Sequence, residues 1–412
     1  MVPQSSSPLL SGKGAISVTK PSNKSPAVRR VPCGSAELTA PVTEAYIQGA
    51  VSAPRVGDAL YPCRLPHSLK HLFPCPGDHL WDRALCASSV RLRMETDATS
   101  LALTFHPLAK PDDKVIPGHA FDLVVGNKIR RTALCHGGDT EVRFNKTGSG
   151  LHVLEVWLPP SCHVGLKSIT ARGATVLRPM PDRRPMWVTW GSSLTHCVRA
   201  GSASRTWPAT VARRYDLNLV NMGFGGSCHL EPAVAMVIRD LPASFISMKL
   251  GINAINGSLS ARTYPPLVAA AVAIIREKHP HTPIVLISPL ANPPREKTPS
   301  TANYTLEAMR SDMESVHHAI VEAGDMNLYY VSGLDLFGIE DITKHAKDQL
   351  HPDAKGIDLQ AVKFSQLVMP MLLGRQCFHH PTGLPAHQRN GMPRITFDWK
   401  AGYSEDRCGG FP

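Results

Sequence analysis

The chain has 412 residues, 43% of them hydrophobic and 19% charged, with a net charge of +11 and a pI near 9.2. That length and composition allow a large buried core and more than one domain, which excludes a fibrous or wholly disordered protein. The basic surplus lies partly at the ends: five basic residues face two acidic ones in 1–45 and five face three in 375–412, leaving +6 between them.

No basic helix and no Lys/Arg run interleaved with aromatics occurs, so no nucleic-acid partner is expected. The 10 cysteines are dispersed without a CxxC pair. That usage fits a reducing compartment better than a disulfide framework or a zinc ribbon.

Residues 1–45 read as a disordered basic leader. Positions 1–36 are rich in Ser, Pro and Lys and hold no Asp or Glu, a composition shared by disordered leaders and some organellar transit peptides. The opening MVPQSSSPLLSGKG lacks a basic start followed by an apolar stretch, and the longest apolar run, Leu267 to Ile275, is too short to span a bilayer. The expectation is a cytoplasmic protein with no membrane partner, an organellar leader being the alternative.

From about residue 88 the hydrophobic period is two: Val90, Leu92 and Met94, then Leu101, Leu103 and Phe105, later Val142 and Phe144, then Leu154, Val156 and Leu158. These short alternating runs, broken by PDD, GNK, GGD and TGSG, predict an all-β sandwich over 46–180. After Pro179-Met180-Pro181-Asp182 the pattern changes. Apolar runs now alternate with helical stretches: VTW then TWPATVARRY, LNLVNMGF then PAVAMVIRDL, FISMKLG then PPLVAAAVAIIREK, and on through TPIVLISPL, MESVHHAIVEAG and NLYYVSGLDLF. Runs buried on both faces are what parallel strands between crossover helices require, so 184–373 is predicted to be a doubly wound α/β domain. Residues 375–412 read as an irregular tail.

In such a sheet, reactive groups gather where strands end. The first strand ends in Gly191-Ser192-Ser193, the second in Asn221-Met222-Gly223-Phe224-Gly225-Gly226 and the third in Gly251-Ile252-Asn253; Asp348-Gln349-Leu350-His351-Pro352 follows the fifth. Together they supply a hydroxyl nucleophile, amide donors, an imidazole base and a carboxylate, the inventory for acyl transfer through a tetrahedral oxyanion. Plain structural readings exist for each: turn serines at Ser192 and Ser193, a turn glycine at Gly226, helix caps at Asn253 and Asn256. The α/β-hydrolase elbow G-x-S-x-G is absent.

In the order and content of these blocks the chain resembles the SGNH (GDSL-type) hydrolases. GSSL corresponds to GDSL, which implies Ser193 as nucleophile; NMGFGGS corresponds to the second block and implies Gly226 as a backbone oxyanion donor beside the Ser193 amide. GIN in KLGINAING implies Asn253 as the side-chain donor, and DQLHP implies Asp348 and His351 as the carboxylate and base. Ser192 stands where GDSL has Asp, and Ala254 where many members have the Asp of GxND. The stretch from AYIQG through METDATSLAL and EVWLPP resembles the two-domain subgroup with an N-terminal jelly-roll-like sandwich, which includes acyltransferases of polyketide tailoring.

The resemblance implies a serine esterase acting on a small-molecule acyl ester or thioester without cofactor or metal. Transfer of the acyl group to a hydroxylated acceptor is the alternative, and an inert glycan- or metabolite-binding protein is a second one. His196, Cys197, Cys228 and His229 are zinc-type ligands from neighbouring loops, but their spacing fits no known finger. Cys197 and Cys228 are expected as buried thiols at the base of the site, or as a pair if their backbones approach closely. The loops Thr195 to Trp207 and Asn292 to Tyr304 are long for their positions and are candidates for a lid.

Overall fold

The protein is described by a computed structural model over residues 37–73, 79–109 and 118–373. Two antiparallel sheets form the N-terminal sandwich, each of six strands. One is centred on Leu166–Arg172 and Ser100–Phe105, the other on Arg91–Thr96, His152–Trp157 and His119–Val125. The period-two residues face inward: Leu101, Leu103 and Phe105 of one sheet pack against Leu92, Met94, Leu154 and Val156 of the other. Phe105 stacks on Phe121, with ring centroids 5.2 Å apart.

One expectation is corrected here. Glu37–Pro41, placed in the leader by composition, is an edge strand paired with Leu166–Arg172. Its alternate residues are exposed, so it carries little hydrophobic signal of its own, and the sheet recruits it through backbone hydrogen bonds. Residues 1–36 and the tail expected from 375 lie outside the described residues.

The second domain holds a parallel sheet of five strands in the order Asn218–Gly223, Met186–Gly191, Phe245–Lys249, Ile284–Ile287, Leu328–Val331. Helices Trp207–Arg214, Pro232–Asp240, Tyr264–Arg276, Leu306–Glu322 and Ala354–Leu367 cover it. The second strand pairs on one side of the first and the third on the other, so the strand order reverses at Met186–Gly191. A crevice opens at such a reversal, beyond the carboxyl ends. Helix Ala354–Leu367 is fixed close by: Phe364 packs between Trp187 of the first strand and Trp207, with centroids 5.3 and 4.7 Å away. That anchoring carries the DQLHP loop, just ahead of the helix, over the end of the first strand.

The sandwich also braces the floor of this crevice. Arg64 is fully buried; it donates to the carbonyls of Cys86 (2.8 Å) and Arg83 on its own side, and of Asn221 (2.9 Å) and Gly223 (2.5 Å) at the end of the second parallel strand. Its guanidinium lies over the Phe224 ring. Asp122 accepts from the Ser202 and Ser204 hydroxyls at 2.5 and 2.7 Å, holding the loop that follows Ser193. We predict that Arg64→Met, which strands four carbonyls in a dry junction, lowers unfolding stability by about 3 kcal/mol or more. Urea unfolding of the two proteins measures this. Among the described residues, no helix is long and apolar enough to cross a membrane.

Candidate active site

Ser192 and Ser193 have different structural roles. The chain leaves the first strand at Gly191 and enters the short helix Ser193–His196. Ser192 is its N-cap: the side chain is buried and its Oγ accepts from the Leu194 N–H at 3.3 Å. Ser193 is the first helical residue, whose own N–H has no intrahelical acceptor. Close packing makes the turn possible. A side chain at Gly223 would collide with the backbone of Thr195 and His196, its Cβ lying 2.3 Å from the His196 nitrogen.

The loop before helix Ala354–Leu367 delivers the partners. Although 158 positions apart in sequence, Ser193 Oγ and His351 Nε2 are 2.9 Å apart. His351 Nδ1 stands 2.9 Å from Asp348 Oδ2. An ionised carboxylate only accepts, so Nδ1 carries the proton and Nε2 is left to accept from the Ser193 hydroxyl. Partial burial pushes the Asp348 carboxyl up, but the His351 amide at 2.7 Å, the His351 ring and the Leu350 amide at 3.1 Å outweigh it and hold the group well below the usual carboxylate range.

Two residues outside the motifs support this loop. Arg199 Nη1 donates to Asp348 Oδ2 at 2.9 Å, so that oxygen serves both the imidazole and the guanidinium. Asn292 Nδ2 donates to the carbonyl of Gln349 at 2.6 Å and pins a residue held at φ +58° between Asp348 and His351. Thus the start of the Asn292 to Tyr304 loop works as a brace.

The candidate donors follow the ends of the second and third parallel strands. Gly226 sits at φ +75° in the turn after the second strand, a conformation that favours glycine. The preceding Gly225 amide turns back to His196 Nδ1 at 3.4 Å, whereas no internal acceptor takes the Gly226 amide among the described residues. Asn253 makes no side-chain cap bond to the helical turn that follows it. Instead its Oδ1 accepts from the Cys228 N–H at 3.2 Å, which turns Nδ2 the other way. Asn256 lies inside the 3-10 turn Ala254–Asn256 and is not its cap.

The four zinc-type residues are used separately. His196 Nε2 donates to the Pro160 carbonyl of the sandwich at 2.8 Å, and burial pulls the ring's pKa well down, keeping it neutral. His229 contacts Ser258 Oγ and the Gly226 carbonyl. Cys197 and Cys228 are buried, unpaired thiols, raised by burial, Cys197 to about 11. Among the described residues, the groups that converge at ligand distance are instead Asp82, Cys86 and His163 in the sandwich, where burial pushes the Cys86 thiol up to about 11.

Beneath the nucleophile lies a residue the motifs do not mark. Lys249 is buried at the end of the third strand; its Nζ donates to the Leu194 carbonyl at 3.2 Å and sits 4.9 Å from the Trp207 ring centroid. Burial pulls the ammonium down to about 8, the neighbouring Cys197 partly opposing this. A lysine inside the apolar run FISMKLG was the available sequence signal. Arg199 and Asn292 gave none, since both lie in irregular loops.

The comparisons with known proteins point the same way. Residues 184–372 match the model of the GDSL-like Lipase/Acylhydrolase family, and residues 45–167 match the model of the SsfX3 N-terminal domain. The salicylyl-acyltransferase SsfX3 from a tetracycline biosynthetic pathway is 30% identical with a TM-score of 0.74, over 82% of this chain and 98% of its own. A structure described as a GDSL-like lipase from Bacteroides ovatus is 18% identical with a TM-score of 0.65, over 82% of this chain and 98% of its own. A family two carbohydrate esterase from Clostridium thermocellum, in complex with cellohexaose, is 15% identical with a TM-score of 0.54, over 70% of this chain and 94% of its own. At those identities the last two bear on the fold alone. No curated protein sequence matches the chain.

Proposed function

Because the chain belongs to the GDSL-like lipase/acylhydrolase family, we propose that it cleaves a small-molecule acyl ester or thioester through an acyl-enzyme on Ser193. The observation that carries this reading is the unbroken relay Ser193 Oγ, His351, Asp348, with both links at 2.9 Å. Ser193 Oγ attacks the acyl carbonyl as His351 Nε2 takes its proton, and Asp348 stabilises the imidazolium that forms. The Ser193 and Gly226 amides and Asn253 Nδ2 hold the oxyanion. The imidazolium then protonates the departing alcohol or thiol, and water, deprotonated by the same imidazole, releases the acid.

Asn253→Ala is expected to lower kcat by about 10²-fold or more with little change in KM, because the amide meets the oxyanion and not the ground-state carbonyl. Steady-state kinetics on p-nitrophenyl esters read this; unchanged kcat would remove Asn253 from the oxyanion site. The six described cysteines are all free and buried, which suits the reducing, cytoplasmic setting we assign.

A second reading, transfer to a small-molecule hydroxyl, is favoured by the 30% identity to an acyltransferase. The acyl-enzyme is common to both, so the outcome depends on which nucleophile reaches it. The test is mass-spectrometric product analysis of the full chain with an acyl thioester, with and without a bulky polyhydroxylated acceptor. Hydrolysis predicts free acid in water alone, with some ester when acceptor is present. No turnover without acceptor, but clean ester with it, would establish transfer.

A further inference from the structure

Three side chains with no part in the acyl chemistry meet in the segment that carries the Arg64 contacts. Asp82 and Cys86 lie one turn apart, in the short helix Leu80–Leu85 and at its C-cap, a spacing that sets two side chains on one face. His163 comes from the loop ahead of strand Leu166–Arg172. Its Nε2 stands 3.1 Å from Asp82 Oδ1 and 3.0 Å from the Asp82 carbonyl, and ligand atoms of all three residues lie within 4.8 Å of one another. The two segments are joined beside the cluster, where the Ala87 N–H donates to the Cys162 carbonyl at 3.2 Å. Arg64 Nε in turn holds the Cys86 carbonyl at 2.8 Å.

A carboxylate, an imidazole and a thiolate together suit zinc, whereas calcium and magnesium take oxygen ligands. Two nitrogen or oxygen ligands of a tetrahedral zinc, each about 2.1 Å from the metal, stand about 3.4 Å apart. The Asp82–His163 spacing is close to that. The thiol closes the third side, drawn in by about 1 Å on binding, and the fourth position is left to water. Charge balances as well: carboxylate and thiolate match a divalent ion, so Arg64 and Arg83, which act on the thiol, meet no net cation. Asp82 and His163 are partly exposed, giving the ion a path from solvent, and Cys86 is buried behind them.

We propose that Asp82, Cys86 and His163 form a zinc site that clamps helix Leu80–Leu85 to the sandwich and, through Arg64, stiffens the domain junction. The site performs no acyl chemistry and is independent of the Ser193 reading. On binding, Cys86 releases its thiol proton to solvent and His163 carries its proton on Nδ1, which leaves Nε2 to ligate.

The test adds cobalt(II), a spectroscopic substitute for zinc, to the reduced, metal-free full chain. A single equivalent should give a sulfur-to-cobalt charge-transfer band and the intense visible bands of a tetrahedral ion, and zinc should abolish both. The charge-transfer band should vanish in Cys86→Ser. Asp82→Asn and His163→Gln should each weaken binding by about tenfold or more, since changes to groups behind the ligands alone cost that much. Saturating zinc should raise the unfolding midpoint of the wild type and leave that of Cys86→Ser where it is. No charge-transfer band in the wild type, or one that survives in Cys86→Ser because the metal sits on other cysteines, would overturn the site. So would wild-type affinity in His163→Gln. Circular dichroism shows which variants fold; if Cys86→Ser does not, His163→Gln, altered at a partly exposed side chain, decides alone.

Discussion

Ser193→Ala is expected to abolish both fluorophosphonate labelling and turnover of short p-nitrophenyl esters, while Ser192→Ala keeps a substantial fraction of activity. The asymmetry follows from geometry. Ser193 Oγ is the atom 2.9 Å from His351 Nε2, whereas Ser192 Oγ is buried against the Leu194 amide. Removing a helix cap costs on the order of 1 kcal/mol of stability, enough to lower the melting point without touching the chemistry. Mass spectrometry of the labelled peptide assigns the adduct to one serine. A dead Ser192→Ala protein that still folds, beside an active Ser193→Ala protein, would overturn the assignment.

Asp348→Asn should lower kcat by about 10³-fold or more, with KM changed far less, since an amide no longer enforces the tautomer that leaves Nε2 free to accept. The sign of the pH effect follows from the depressed carboxyl. A group whose folded pKa lies below its unfolded value contributes stability that is complete above the unfolded value and lost as the pH falls through the folded one. For Asp348 that loss belongs to strong acid, so the carboxylate stays ionised wherever the protein is assayed and is not the source of an acid limb in the rate profile. Kinetics of Asp348→Asn from pH 5 to 9 check this: the defect should persist across the range. Recovery of wild-type rates at high pH would remove Asp348 from the orienting role.

Local sequence settled the periodicities and the strand ends. Leu101, Leu103 and Phe105 alternate because a strand turns successive side chains to opposite faces, and the runs VTW and FISMK are buried almost throughout because both their faces are covered. Small and polar residues at the ends of those runs marked Ser193, Gly226 and Asn253 at one edge of one sheet, and the DQLHP block marked Asp348 and His351. Each of those signals acts over a few residues.

Tertiary structure alone decided what depends on distant partners. Whether Ser192 or Ser193 meets the imidazole was set by a helix turn closed against Gly223, and by the packing of Phe364 on Trp187 and Trp207 that brings the histidine loop across. The edge strand Glu37–Pro41 exists because Leu166–Arg172 offers it hydrogen bonds. Arg64, Arg199, Lys249 and Asn292 take their meaning from groups many residues away in the chain: carbonyls across the domain junction, a carboxylate on another loop, the carbonyl behind the nucleophile. Hydrophobic period is written locally because burial of a face is a property of one element. The pairing of a polar group is a property of two, and the chain between them carries no trace of it.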